Sequence, residues 1–138
     1  MIGIDTNILA RYYIADAGDA EAGRQRELAR QLIESGQPLM VCKTVLLEFE
    51  WLMRGYYNFQ GTDVVAVMEH LCALPNMTIE DRETVVHALS HCTAGLDFAD
   101  ALHHASYRGC TSMASFDDRK FARRAKRMGL MPAVVVPK

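Results

Sequence analysis

Several common chemistries have no foothold in this sequence. Its four cysteines, Cys42, Cys72, Cys92 and Cys110, are scattered and form no C-x-x-C pair. A structural zinc site is not indicated on that spacing, and the thiols read as reduced, mostly core groups of a reducing compartment. No apolar run approaches the roughly 20 residues that a membrane span needs. The N-terminus shows no basic segment leading into an apolar stretch and a small-residue cleavage site. A cytoplasmic protein with no membrane partner is therefore expected. No G-x-x-x-x-G-K-[ST] is present for a nucleotide-binding loop, and no G-x-S-x-G for a serine hydrolase. His87 and His91 have the i,i+4 spacing of paired zinc ligands, yet no Glu follows His87 as H-E-x-x-H requires. They read as helix-surface histidines. No repeat, low-complexity tract or Pro/Gly-rich linker interrupts the 138 residues, so a single domain over 1–138 with one core is expected.

What is present is a globular composition, with 50% apolar and 23% charged residues. The net charge of −2 conceals two opposed blocks. Arg119, Lys120, Arg123, Arg124, Lys126 and Arg127 fall within nine residues that contain no acid. That segment carries +6 and the remaining residues together −8, a division that suggests distinct binding surfaces.

Short apolar runs alternate with helical spacing along the chain. "MIGI", "LMVC", "MTI" at 77–79, "TSMAS" and "AVVV" read as strands. Helical spacing covers "TNILARYYI", residues 19–35, 44–56, 62–74, 82–93, 98–109 and a basic helix at 117–128. This alternation argues for a parallel α/β sheet covered on both faces. The stripe Val64, Val67, Met68, Leu71 and Leu74 fits core or a dimer contact.

In such sheets ligands sit beyond the carboxyl ends of the strands. Four acids fall there: Asp5 after "MIGI", Glu48 in the helix after "LMVC", Asp100 in "DFADALHHA", and Asp117 after "TSMAS". Each has a plain structural explanation. Asp5 is placed to cap the helix that starts at Thr6. Asp97 is a candidate N-cap with Asp100 as a first-turn acid, and Asp117, Asp118 and Ser115 are candidate caps of the basic helix. On a helical wheel Val45, Phe49, Leu52 and Tyr56 form the apolar stripe. Glu48 lies at its margin, and Glu50 lies opposite as a solvated i,i+4 partner of Arg54. A carboxylate at the margin costs free energy unless paired. Asp100 is expected opposite the buried Phe98, Ala101, Leu102 and Ala105, together with His103, His104 and Tyr107.

The joint pattern is harder to explain by capping. Two like charges about 5 Å apart repel by roughly 3 kcal/mol at an effective dielectric of about 20. A cluster of four would raise its own pKa values unless a hard cation offset the charge. Mg²⁺, with Mn²⁺ as a substitute, takes oxygen ligands and needs only one or two direct carboxylates.

"IDTNIL", "LLEFEWLMR", "DFADALHHA" and "SFDD" followed by a helix resemble the motifs of the PIN domain, most closely those of VapC-type toxins of bacterial toxin–antitoxin pairs. The resemblance covers nearly the whole chain and preserves the order of the motifs. It implies a PIN-like three-layer sandwich with a central, mostly parallel sheet of about five short strands. It implies a magnesium-dependent endoribonuclease, a protein antitoxin partner and a homodimer. By motif, the four acids of that family fall on Asp5, Glu48, Asp100 and Asp117 as catalytic residues and metal ligands, with Asp97 a further candidate for the metal. Asn7 and Ser115 match small polar residues that orient waters or carboxylates. Nothing is transferred to the polar segment 16–37.

On the wheel for 117–128 the bases cover one arc and Phe121, Ala122, Ala125 and Met128 the other. Arg119, Lys120, Arg123, Arg124 and Arg127 are candidates for RNA phosphate contacts. A merely solvated face, or a dock for an acidic antitoxin segment, would look the same. A phosphatase or phosphotransferase with strand-end acids is a further alternative, although "DTN" lacks the second acid of D-x-D. So is a non-catalytic binding module with an acidic pocket.

Overall fold

The computed structural model describes residues 1–16 and 18–138. Its elements follow the expected alternation. They are β1 (Ile2–Gly3), α1 (Thr6–Tyr13), α2 (Ala20–Ile33), β2 (Leu39–Val41), α3 (Lys43–Trp51), a π-helical turn (Leu52–Tyr56), α4 (Gly61–Ala73) and β3 (Met77–Ile79). Then come α5 (Arg82–Cys92), α6 (Phe98–Ser106), β4 (Ser112–Ala114), a second π-helical turn (Asp118–Ala122), α7 (Arg123–Met128) and β5 (Ala133–Val135). All strand pairs are parallel. Among the described residues no helix is long and apolar enough to cross a membrane.

The chain divides into two compact units, Met1–Arg82 and Glu83–Lys138. In the first, β1, β2 and β3 pair in that order, with Ile2 opposite Leu39 and Leu39 opposite Met77. Leu39 and Val41 are fully buried in the middle strand. "MIGI" differs from a buried strand: Ile2 and Gly3 are exposed on the outer strand of this ladder, and only Ile4 is buried. Helix α1 buries Leu9 and Ala10, and α2 packs on it through a face that includes Ala22, Ala29 and Ile33.

Helix α3 corrects the wheel drawn from the sequence. Its buried stripe, continued into the π-turn, is Leu46, Phe49, Glu50 and Met53, which has the i, i+3, i+4, i+7 spacing of a helix face. Glu50, at 6% exposure, is the buried acid, and Glu48 is exposed. The stripe is centred one position later than Val45–Phe49–Leu52–Tyr56, and Tyr56 is exposed. The i,i+4 pairing of Glu50 with Arg54 holds, at 2.9 Å, but with its carboxylate end inside. Glu48 therefore carries no burial cost.

In the second unit β4 pairs with β5, Ser112 opposite Ala133. Helix α6 buries Phe98, Ala101, Leu102 and Ala105, as the pattern predicts, and also His104 at 1% exposure. His104 was expected on the polar side. Its Nε2 lies 2.8 Å from the Pro132 carbonyl oxygen, a partner that local periodicity does not reveal. The His104 ring meets Phe121 edge-on at 6.4 Å and His91 at 6.3 Å, and His91 meets the exposed His87 at 4.6 Å. The pair at 87 and 91 is thus surface on one side only. His91 is half-buried, and its Nδ1 has no partner among the described residues.

Burial, then the neighbouring His87 and His104, hold the His91 pKa below the ordinary histidine value. The folded chain therefore binds this proton less tightly than the unfolded chain. Stability from the neutral ring is fully present above the unfolded pKa of about 6.5 and is lost as pH falls through the lower folded value. Thermal melts from pH 7.5 to 5.0 should show a falling Tm. His91→Gln should shrink that fall; an equal fall in both proteins would contradict the assignment.

Candidate active site

In the first unit, the chain leaves β1 and reaches Asp5 after one residue. Asp5 is the N-cap of α1: its Oδ1 accepts the Thr6 backbone N–H at 2.8 Å. The side chain is exposed, and the cap fixes it through one oxygen. Asn7 is also exposed, one residue into the helix. Helix α3 is capped from outside, because the Lys43 backbone N–H donates to Glu80 Oε1 at 2.8 Å and Cys42 supplies no side-chain cap. Lys43 Nζ pairs with Asp81 at 3.2 Å. These bonds anchor the start of the helix that carries Glu48. Asp5, Asn7 and Glu48 then line one cleft of about 370 Å³, together with Arg11, Trp51 and Tyr57. The structure thus brings together the first two sequence-predicted acids and the first polar helper.

In the second unit, Asp97 occupies the N-cap position of α6 but makes no side-chain cap bond. The capping explanation fails for this acid. Asp100 is half-buried in the first turn. Its pKa is raised, first by burial, then by the charges of Asp97 and Asp117, against the opposing pull of His103 and Arg124. Asp100 therefore feels the charges of both Asp97 and Asp117. Asp117 follows β4 and caps the second π-turn, where its Oδ1 accepts the N–H groups of Lys120 at 3.1 Å and Phe121 at 3.4 Å. Ser115 Oγ accepts the Asp117 backbone N–H at 3.1 Å. Ser115 thus holds the turn that carries Asp117.

The basic arc is amphipathic as expected, with Phe121, Ala122 and Ala125 buried beneath it. Arg119, Lys120, Lys126 and Arg127 are exposed. Arg123 pairs with Asp118 at 3.6 Å, and an Arg124 guanidinium N–H donates to the Gly95 carbonyl at 3.0 Å. Those two are partly committed within the fold.

The donor chemistry fits a hard divalent cation. Every candidate ligand is a carboxylate, and the mutual repulsion felt at Asp100 is the cost such a cation would offset. Among the described residues no three His, Cys, Asp or Glu side chains stand close enough to hold a metal ion by themselves. Sequence reasoning missed Arg11, Trp51 and Tyr57 in the first cleft. Arg11 stands four residues after Asn7, and Trp51 three after Glu48, so both share helix faces with predicted site residues.

The family model of the PIN domain matches residues 2–127. No curated protein matches the chain significantly.

An acid held near two others strains the fold when it is ionised. In metal-free buffer at pH 7, Asp100→Asn should melt at a higher temperature than the parent, by removing a charge that is penalised first by burial and then by those two acids. A lower Tm would show that Asp100 serves the fold and is not strained by its acidic neighbours.

Proposed function

Because the chain belongs to the PIN domain family, whose members are generally nucleases that use divalent metal ions, we propose that it is a magnesium-dependent endoribonuclease. Asp5, Glu48, Asp100 and Asp117 are its catalytic acids. Asp5 and Asp100 hold the cation directly, and Glu48 and Asp117 hold it directly or through water, with Asp97 as an additional donor. Mn²⁺ serves in place of Mg²⁺. The observation that carries this reading is Asp100, whose pKa is raised by burial and then by the charges of Asp97 and Asp117 beside it. A carboxylate arrangement that repels itself is tolerated where its charge is used. The cleft that Asp5 and Glu48 share, open to solvent beside Asn7, adds support from the other predicted acids.

When bound, the cation supplies Lewis acidity toward a water and toward the phosphoryl oxygens. The residues of the chain do the positioning. Asp5 and Asp117 each commit Oδ1 to helix N–H groups, which fixes the direction of the carboxylate. Ser115 holds the Asp117 turn, and Asn7 orients water or carboxylate at the cleft. Water attacks phosphorus in line, its oxygen forms the new P–O bond, and the departing 3′ oxygen takes up a proton. The products carry a 3′-OH and a 5′-phosphate. The exposed Arg119, Lys120 and Arg127, with Arg123 and Arg124, give sequence-independent affinity for the RNA backbone.

The order and spacing of the four motifs further support a VapC-type toxin, cytoplasmic and homodimeric, restrained by a protein antitoxin. Incubating the pure chain with pooled cellular RNA tests the core of this reading. Cleavage should require Mg²⁺, stop with EDTA and leave 5′-phosphate ends. Asp5→Asn should abolish cleavage, and Ser115→Ala should slow it by about 10- to 100-fold. Cleavage by Asp5→Asn at the parent's rate would overturn the assignment.

A further inference from the structure

Trp51 is the only tryptophan of the chain, and it is 58% exposed. Its ring stands in water on the wall of a cleft that it shares with a second aromatic, Tyr57. The π-turn at Leu52–Tyr56 begins directly after it and closes through the Tyr57 N–H donating to the Leu52 carbonyl at 3.1 Å. Such turns concentrate at functional sites because they re-aim the residues around them. Here the turn returns Tyr57 to the same cleft that Trp51 lines.

Gly55 lies inside that turn, beside the indole. A Cβ at position 55 would lie 3.4 Å from Trp51 Cε2, 3.5 Å from Nε1 and 3.8 Å from Cδ2. The glycine thus leaves open the space beside the indole that a side chain at position 55 would fill. Tyr57 is half-buried and is itself braced edge-on by Tyr56 at 4.8 Å. Asp5 and Glu48 stand on the same cleft, as does Arg11, which Gln25 holds through its Nε–H at 2.9 Å.

We infer that Trp51, with Tyr57 beside it, is a stacking platform for one unpaired nucleobase of the RNA. An exposed aromatic face offers sequence-tolerant stacking, because every base has a π-face. A base inside a duplex is already stacked on its neighbours, so the platform takes single strands, loops and bulges. The acids on the same cleft then meet the backbone next to the captured base. Trp51 is a positioning residue in this account, and it rests on the endoribonuclease reading for the reaction it serves.

The lone tryptophan reports on its own contact. A mixed-sequence single-stranded RNA 12-mer should quench the intrinsic fluorescence of the Asp5→Asn chain saturably. The same 12-mer made abasic throughout, or annealed to its complement, should not. In the otherwise unaltered chain, Trp51→Leu should raise KM for single-stranded RNA by about tenfold with kcat little changed, and Trp51→Phe should recover most of the loss. Equal quenching by the abasic strand overturns the platform, as does an unchanged KM in Trp51→Leu. Emission that follows protein concentration and ignores RNA also overturns it, and assigns the face to self-association. The two readings fail separately. A parent chain that quenches with RNA but never cuts it sinks the nuclease proposal, whereas a parent that cuts RNA with Trp51 silent sinks only the platform.

Discussion

A parallel strand hands the chain to its following helix at one end of the sheet, where the helix N–H groups have no internal partners. A carboxylate placed at that junction is drawn to those groups and to the positive end of the helix dipole. Asp5 after β1 and Asp117 after β4 both obey this constraint, each through Oδ1. The cap that accounts for each acid structurally also aims it. Capping and ligation are therefore compatible roles for one side chain, since a carboxylate has two oxygens. Asp97 is the counter-case, an acid at an N-cap position that makes no cap bond and instead adds to the charge felt by Asp100.

The remaining parts of the proposed site follow from what holds each junction in place. In the first unit, Glu80 caps α3 from the end of β3, because Cys42 does not. The helix that carries Glu48 is thereby tied to the sheet, and Phe49 and Met53, fully buried, fix its rotation. In the second unit, Ser115 holds the Asp117 turn, and Phe121 seals the turn against His104. Both helices that carry key features run into or out of π-turns, Leu52–Tyr56 and Asp118–Ala122. Each turn displaces the side chains near it from ordinary helical spacing, which lets Tyr57 return to the cleft that holds Glu48.

The element order and the parallel pairing were legible because short apolar runs and helical periodicity report burial directly. The mixed α/β character with a parallel sheet and the PIN assignment follow the sequence closely. The errors share one physical cause, which is that a wheel registers polarity but not partners. Glu50 can be buried because Arg54 reaches it from a half-exposed position. His104 can be buried because a carbonyl 28 residues away accepts or faces its ring nitrogen. Glu48, ranked as the costly acid, lies in solvent because the stripe turns one residue further. A single aromatic beside an apolar stripe reads as core, and only its exposure on the cleft sets Trp51 apart.

The central claim of the proposed function is that these separately capped and positioned acids bind a divalent cation. Titration with Mn²⁺, followed by the paramagnetic signal of the free ion, measures this without any RNA. The account predicts one class of bound ion in the parent and affinity weakened about tenfold or more in both Asp5→Asn and Asp100→Asn. Parent-like affinity in either variant would contradict it.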